Sequence, residues 1–178
     1  KQTGRIIDSL SPTQKSVQLA PQDSSAHFNL GNTLQDLGRL KEAEASYKKA
    51  IVLKPDFATV HFNLGVTLHE IGREKEAEAS YKQAIALRPD YASAQNNLGV
   101  TLKELGRLKE AEASYKQAIA LKPDYAEAHT NLGTTLQELG KWEEAEASYK
   151  QAIGLKPGFA LAHYNLGVTL QELGRLEE

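Results

Sequence analysis

The chain has 178 residues, of which 40% are hydrophobic and 25% are charged. Its 21 basic and 23 acidic residues give a net charge of −2 at pH 7, so the composition provides no overall attraction to nucleic acid or to an anionic membrane surface. The absence of cysteine excludes a disulfide framework, a thiolate metal site and a cysteine nucleophile.

A hexapeptide of the form NLGxTL recurs along the whole chain. Its copies are 34 residues apart, and a fixed period of this length indicates a repeat architecture. The copies occupy residues 29–34, 63–68, 97–102, 131–136 and 165–170.

The first element in chain order is a degenerate half-repeat or N-terminal cap, predicted at residues 1–23. Residues 4–23, GRIIDSLSPTQKSVQLAPQD, align with GRLKEAEASYKKAIVLKPDF at 38–57. Proline removes a backbone donor, so Pro12 is expected to break or kink the helix of this segment. Four complete repeats and one truncated repeat follow, with predicted bounds 24–57, 58–91, 92–125, 126–159 and 160–178.

Each complete repeat is predicted to contain two antiparallel helices, as residues 58–91 illustrate. In the first half, Leu64 and Leu68 lie at helical spacing, and Gly72 suits the left-handed conformation that follows a helix end. The second half repeats the apolar spacing and ends before Pro89, which cannot continue a helix. An aspartate after the proline is expected to cap the next helix in three repeats, at Asp56, Asp90 and Asp124.

Eight positions of the repeat resemble the signature of the tetratricopeptide repeat. In residues 58–91 they are Leu64, Gly65, Leu68, Gly72, Ala77, Tyr81, Ala84 and Pro89, and every complete repeat carries all eight. The resemblance covers about residues 24–178. It implies an all-α fold, an α-solenoid of stacked antiparallel helix pairs that forms a right-handed superhelix with the first helices lining a concave groove. The recurring leucine and glycine are interpreted as packing residues, the glycine allowing close approach of the second helix.

The asparagine of the hexapeptide is the first candidate for function. Positions 2, 6, 9 and 13 of the repeat fall on one stripe of the first helix, and the resemblance implies that this stripe faces the groove. A row of amides at position 6 can pair with the backbone of an extended peptide, and the row is similar to the asparagine ladder in the repeat region of O-linked N-acetylglucosamine transferases. Duplication of repeats without selection for a ligand is the alternative. The predicted peptide-binding asparagines are Asn29, Asn63, Asn97, Asn131 and Asn165.

Position 13 is acidic in every copy, in the last turn of the first helix, where an acid opposes the helix dipole. One interpretation is an acidic stripe that selects basic partners. The other is an ion pair with the basic residue three positions later, which is Arg39, Arg73, Arg107, Lys141 or Arg175. The acids are Asp36, Glu70, Glu104, Glu138 and Glu172.

Position 5 varies while its neighbours repeat, which suggests side-chain specificity, although drift explains the variation equally well. Its residues are Phe28, Phe62, Asn96, Thr130 and Tyr164. On the second helices, an acid precedes a base by four residues, and these pairs are interpreted as a solvated face. They are Glu44 with Lys48, Glu78 with Lys82, Glu112 with Lys116 and Glu146 with Lys150.

Sites for metals, cofactors and catalysis are not predicted. Histidine recurs at position 4, but equivalent helices of adjacent repeats should lie about 10 Å apart, too far for successive histidines to share a metal ion. These histidines are interpreted as packing or surface residues, namely His27, His61, His129 and His163. The groove positions lack the positive charges of the family's carboxylate clamp, which disfavours a chaperone-tail adaptor. Since no catalytic constellation or phosphate loop is recognisable, we expect no enzyme and no cofactor.

The predicted function is a non-catalytic protein–protein interaction scaffold that binds an extended polypeptide in the concave groove. Two alternatives remain, a substrate-recruiting repeat region of a larger glycosyltransferase or sulfotransferase, and a self-assembly module. The expected partner is a protein or peptide rather than nucleic acid or a membrane, and the expected location is the cytoplasm. Leu166 and Leu170 of the truncated repeat have no second helix to cover them, so they are expected to support head-to-tail or tail-to-tail self-association.

Overall fold

A computed structural model describes residues 2–174 of the chain, with side chains described from Leu10 onward. The predicted pair of Glu172 with Arg175 therefore lies outside the described residues. Within these bounds the chain forms ten α-helices and no strand, which confirms the all-α prediction. The helices are α1 Gln2–Leu19, α2 Ser24–Asp36, α3 Leu40–Leu53, α4 Ala58–Glu70, α5 Glu74–Leu87, α6 Ala92–Glu104, α7 Leu108–Leu121, α8 Ala126–Glu138, α9 Trp142–Leu155 and α10 Ala160–Glu172.

The even-numbered helices are the first helices of the repeats, and α3, α5, α7 and α9 are the second helices. The chain divides into two compact halves, residues 1–89 and residues 90–178. In the N-terminal half, each helix packs against the next one from α1 to α5, and α2 also contacts α4. In the C-terminal half, each helix packs against the next one from α6 to α10, and α8 also contacts α6 and α10. Within each half, the first helices are therefore neighbours as well as partners of the second helices.

A tyrosine ring against a helical glycine forms the centre of each helix pair. A Cβ atom added to Gly65 of α4 would lie 2.6 Å from Cε1 of Tyr81 on α5, a distance that real side chains do not adopt. The tyrosine is 2% exposed. The prediction that this glycine permits close approach of the second helix is confirmed, because only a residue without a side chain leaves room for the ring. The other pairs are Gly31 with Tyr47, Gly99 with Tyr115 and Gly133 with Tyr149.

The helix ends follow the predictions only in part. Gly72 has φ of 76°, the left-handed conformation expected just after a first helix. The capping role predicted for Asp56 is wrong, because Phe57 occupies the N-cap position of α4 and no side chain caps this helix. The backbone carbonyl of Asp56 instead accepts a bond from the Ala58 amide at 3.2 Å, and Tyr91 and Tyr125 occupy the N-cap positions that follow Asp90 and Asp124. Asp23, which was not predicted as a cap, does cap α2 by accepting from the Ser25 amide at 2.8 Å.

The structure contradicts one of the two effects predicted for Pro12, a break of the helix. Helix α1 continues through Pro12 without a break. The hydroxyl of Thr13 donates to the carbonyl oxygen of Leu10 at 3.0 Å in the turn around the proline. Because most of a helix's stability in a folded protein comes from packing, contact of α1 with α2 can offset the backbone bond that proline removes.

Candidate functional site

In the N-terminal half, the asparagine row is part of a hydrogen-bond network between adjacent first helices. Nδ2 of Asn63 on α4 donates to Oδ1 of Asn32 on α2 at 2.8 Å. The hydroxyl of Tyr47 donates to the same oxygen at 2.8 Å and to Oε1 of Gln35 at 2.9 Å. Burial raises the pKa of the Tyr47 phenol well above its ordinary value, so the phenol remains a donor at all physiological pH values. The network therefore joins two first helices and the second helix between them.

The C-terminal half contains two related networks. Nδ2 of Asn165 donates to the hydroxyl of Thr134 at 3.4 Å, and the hydroxyl of Tyr149 donates to Oε1 of Gln137 at 2.6 Å. Nδ2 of Asn131 donates to Oδ1 of Asn96 at 3.1 Å. In both halves, a position 6 amide is thus bonded to a side chain of the preceding first helix.

These bonds give the asparagines a structural role that sequence reasoning missed. The sequence places positions 6 and 9 on one stripe of the first helix. The hydrogen bond of Asn63 with Asn32, however, joins position 6 of one repeat to position 9 of the preceding repeat, and the pattern within one repeat does not show this contact. A primary amide has two N–H donors, and the bond to the preceding helix uses one of them at Asn63 and at Asn131. Asn131 therefore keeps a second N–H and its own oxygen for a ligand. Asn63 keeps its oxygen, but its side chain is also hydrogen-bonded to the Tyr47 phenol. Asn29 is exposed, and its side chain forms no hydrogen bond with the part of the chain that the structure describes.

The position 13 acids are all exposed, but three of the predicted ion pairs do not form. Arg39 binds Glu42 at 2.7 Å rather than Asp36. Arg73 binds Glu44 and Glu76, and Lys141 binds Glu112 and Glu144, rather than the acid three residues earlier. The helix ends between the acid and the base, so the base is directed to the second helix. Glu138 instead pairs with Lys103 of the neighbouring first helix at 2.9 Å. The exposed acids are Asp36, Glu70, Glu104, Glu138 and Glu172.

The residues at position 5 have unequal access to solvent. Phe28 and Phe62 are half-buried, and their ring centroids lie 6.2 Å and 5.9 Å from those of Tyr47 and Tyr81. Thr130 is 1% exposed, and its hydroxyl donates to the Ala126 carbonyl of the same helix at 3.0 Å. The Thr130 side chain therefore has almost no surface in contact with solvent in this structure. Asn96 is buried as well, whereas Tyr164 is 71% exposed.

The acid–base pairs predicted on the second helices are present, with distances of 2.6–2.7 Å between the paired atoms. The interpretation as a purely solvated face is wrong for the acids, since Glu44 and Glu112 are buried and also bind a base of the next repeat. For Glu44 the bond from Lys48 and then that from Arg73 lower the pKa of the carboxyl below its ordinary value. Each of these two acids therefore connects its own helix to the next repeat through ion pairs.

The recurring histidines have a specific partner that the sequence did not suggest. Nε2 of His61 lies 2.9 Å from the carbonyl oxygen of Pro55, six residues earlier, and the imidazole is the donor because a carbonyl only accepts. Equivalent contacts of 2.7–3.1 Å join His27 to Pro21, His129 to Pro123 and His163 to Pro157. The bond fixes the turn that enters each of these first helices. No group of His, Asp or Glu among the side chains described from Leu10 to Gly174 is arranged to hold a metal ion.

Two surface depressions lie beside the second helices rather than along the asparagine row. One, of about 390 Å³, is bounded by Lys109, Glu112, Lys116 and Lys141, and the other, of about 250 Å³, includes Ile119 and Leu132. Because the asparagines at position 6 and the acids at position 13 are exposed or half-buried side chains on helix faces, the site is an open surface and not an enclosed cavity. Across the described residues, no helix is both long enough and apolar enough to cross a bilayer.

Comparison with known protein families matches tetratricopeptide repeat models over almost the whole chain. Models described as tetratricopeptide repeat match residues 13–45, 90–157 and 160–178, and one described as TPR repeat matches residues 31–72 and 67–106. No curated protein matches the sequence.

Solved structures show the same architecture. The crystal structure of MamA is similar with a TM-score of 0.82 and 26% identity, covering 88% of this chain and 91% of MamA. YrrB, described as a TPR protein with an unusual peptide-binding site, has a TM-score of 0.79 and 27% identity, covering 93% of this chain and 85% of YrrB. PilF of Pseudomonas aeruginosa has a TM-score of 0.87, covering 99% of this chain and 80% of PilF, but at 20% identity this likeness concerns the fold alone.

Proposed function

Because the chain belongs to the tetratricopeptide repeat family, whose members are protein-interaction scaffolds, we propose that its first-helix faces bind an extended polypeptide segment without catalysis. The observation that carries this proposal is the state of the position 6 amides. Asn63 and Asn131 are held in place by the preceding first helix, and the side-chain oxygen of each remains as an acceptor. Asn131 and the exposed Asn29 also keep N–H donors, whereas Oδ1 of Asn97 accepts from Nδ2 of Asn96 at 3.2 Å. A peptide unit offers the matching acceptor and donor, whatever its side chain.

Preorganisation strengthens the case for a backbone ligand. An amide that is already bonded to its neighbour loses less conformational freedom when it binds, so more of the contact energy appears as affinity. In the N-terminal half, Asn63 is fixed in this way by Asn32, and Asn29 lies one repeat earlier on the exposed surface. The likeness to YrrB, whose description names a peptide-binding site, also supports a peptide as the ligand class.

Charge favours a ligand segment that contains lysine or arginine. Asp36 and Glu70 are exposed at the same helix-end position, and neither forms an ion pair within the part of the chain that the structure describes. Their carboxylates are therefore available to a cation. In the C-terminal half, Glu138 already binds Lys103, which reduces the negative charge that a ligand would meet there. The proposed specificity is for extended, basic segments.

We expect Asn29→Ala to weaken peptide binding without changing stability. Loss of one ligand hydrogen bond should cost about 0.5–1.5 kcal/mol, a two- to tenfold drop in affinity, while the exposed side chain contributes nothing to folding contacts. Asn63→Ala should lower affinity and also the free energy of unfolding by about 0.5–1.5 kcal/mol, since it removes the bond to Asn32.

Fluorescence anisotropy would measure the affinity of each variant for one peptide, the tightest-binding member of a displayed library of short unstructured peptides. Gln83→Ala, which removes an exposed amide on α5, is the matched control. Unchanged affinity in both asparagine variants would refute backbone recognition by the row.

The acidic residues should make binding of a lysine-containing peptide sensitive to salt. Exposed charge pairs contribute about 0–1 kcal/mol each and are screened beyond about 8–10 Å at physiological ionic strength. The double variant Asp36→Asn, Glu70→Gln should therefore bind such a peptide up to about tenfold more weakly at low salt and show a flatter salt dependence. Titration calorimetry over a range of NaCl concentrations would test this, with Glu143→Gln on α9 as the control. An equal salt slope in the variant and the parent chain would exclude selection by these acids.

A further inference from the structure

The two surface depressions beside the second helices adjoin each other, because Lys116 of α7 borders both of them. Helix α8 packs against α7 and against α9, whereas α7 and α9 are not in contact among the described residues. The space between α7 and α9 is therefore a groove with α8 at its base. This α7–α9 groove is bordered by Lys109, Lys116, Ile119, Leu132, Lys141 and Ala147.

One end of the α7–α9 groove is positively charged. Three lysines and one glutamate border the depression of about 390 Å³ at this end, so its net charge is +2. Both carboxylate oxygens of Glu112 already accept hydrogen bonds, from Nζ of Lys116 at 2.6 Å and from Nζ of Lys141 at 2.9 and 3.0 Å. The glutamate thus holds two of the lysines in place without neutralising the group.

The lysines keep N–H donors for a ligand. Lys109 is exposed and forms no hydrogen bond or ion pair with the part of the chain that the structure describes. An ammonium group has three N–H donors, and Lys116 uses one of them on Glu112. An incoming carboxylate therefore meets cationic donors that have no other acceptor.

The corresponding base in the N-terminal half is engaged by more acids. Arg73, at the repeat position of Lys141, donates to Glu44 at 2.8 Å and to Glu76 at 2.6 Å. Nζ of Lys141, in contrast, lies 3.9 Å from Oε1 of Glu144, which is too long for a hydrogen bond. A ligand at Lys141 does not have to displace this second acid.

The other end of the α7–α9 groove is mainly apolar. Ile119 of α7, Leu132 of α8 and Ala147 of α9 border the depression of about 250 Å³ at this end. His129 also borders it, and its ring is bonded to the carbonyl oxygen of Pro123 at 3.1 Å. This end suits an aliphatic side chain, because burial of apolar surface is favourable.

The spacing of the two ends sets the spacing of the groups in a ligand. Lys109 and Ile119 are ten residues apart on α7, which corresponds to about 15 Å along the helix. An extended polypeptide covers this distance in about four or five residues. A carboxylate and an aliphatic side chain at that separation can reach both ends.

We propose that the α7–α9 groove binds an extended, acidic polypeptide segment, in which a glutamate or aspartate and an aliphatic residue are about four or five positions apart. The lysines Lys109, Lys116 and Lys141 bind the carboxylate, and the aliphatic side chain packs on Ile119 and Leu132. Charge complementarity selects the ligand. This ligand is opposite in charge to the basic segment proposed for the first-helix faces, so the two sites are tested separately.

Titration of the 178-residue chain with short capped peptides, followed by two-dimensional NMR, would test the proposal. Each peptide contains one glutamate and one leucine with about three or four glycine or serine residues between them, in either order. At least one order should bind saturably with a Kd on the order of 0.1–1 mM and shift the resonances of Lys109 and Leu139 most. Glutamine for the glutamate, or serine for the leucine, should weaken binding at least about fivefold.

Lys109→Glu reverses one charge of the groove without removing a hydrogen bond, so it should weaken binding of this peptide at least about fivefold. Lys41→Glu is the matched control and should bind like the parent chain, because Lys41 is exposed at the same repeat position on α3. Both variants change the net charge equally. Both also place an acid in the first turn of a helix, where the helix dipole stabilises it, so the fold should be retained.

Three outcomes would overturn the proposal. No binding of either peptide up to about 5 mM would show that the groove does not accept this ligand. Equal weakening by Lys109→Glu and Lys41→Glu would show that overall charge, and not the groove, governs binding. Equal affinity for N-acetylglutamate and for the peptide would show that the apolar end contributes nothing. Asn29→Ala should leave this binding unchanged, which separates it from recognition by the first-helix faces.

Discussion

Tyr115→Ala should lower the free energy of unfolding by about 3–5 kcal/mol, the cost of removing a large buried aromatic side chain. The residue is 1% exposed and fills the notch of Gly99, so its removal leaves a cavity between α6 and α7 that the helices cannot close without moving. In a repeat protein, where each helix pair is stabilised mainly by its neighbours, such a loss also weakens coupling to α8.

Urea unfolding followed by circular dichroism would measure this effect. Two controls separate the ring from other changes: Tyr115→Phe keeps the ring and removes only the hydroxyl, and Tyr164→Ala removes a ring that is 71% exposed. Tyr164→Ala should change stability by less than about 0.5 kcal/mol, because its ring is exposed. If Tyr115→Ala were as mild as Tyr164→Ala, the ring would not be the central packing element of the pair.

Gly133→Ala should also destabilise the chain, by about 1–3 kcal/mol, although alanine is the better helix former. The new Cβ would lie 2.7 Å from Cε1 of Tyr149. That ring cannot easily give way, because Tyr149 is 0% exposed and its hydroxyl is bonded to Gln137 and Thr134. Overpacking must therefore move a helix or break these bonds.

The control for this prediction is Gly154→Ala, in which the new Cβ meets no atom within 4 Å. It should leave stability unchanged or raise it by up to about 1 kcal/mol, the difference in helix propensity between the two residues. Thermal and urea unfolding of the two variants, compared at equal concentration, would show opposite signs. The same sign for both would mean that the contact with Tyr149 does not govern the effect.

In the candidate site, the positions of the asparagines could be predicted from the sequence, but their hydrogen-bond partners could not. The row at position 6 was identifiable because five copies of one residue share a position on an amphipathic helix, as Asn63 and Asn131 do. Its bonds to Asn32 and Asn96 were not identifiable, because they depend on how far one first helix lies from the next. The same limitation explains Thr130, whose burial follows from the packing around α8 and not from its own helix.

Ion pairs and helix caps also include some contacts that the sequence predicts and others that only the structure shows. Pairs within one helix, such as Glu112 with Lys116, were predicted correctly because helical spacing alone brings them together. The pair of Glu112 with Lys141 crosses a repeat boundary and required the structure. Asp56 was misassigned as a cap because the helix begins two residues after it, a difference smaller than the accuracy with which a helix start can be read from sequence.

The sequence by itself determined the repeat period, the helix pairs, the glycines that end the first helices and the close approach of the second helix at Gly65. These features depend on residue type and on spacing within one repeat, and 3.6 residues per turn converts spacing into geometry. Only the tertiary structure decided which amide donors are already used, which bases bind Glu44, and that Thr130 is buried. Those features depend on distances between separate helices, which packing of the whole chain sets and no local pattern encodes.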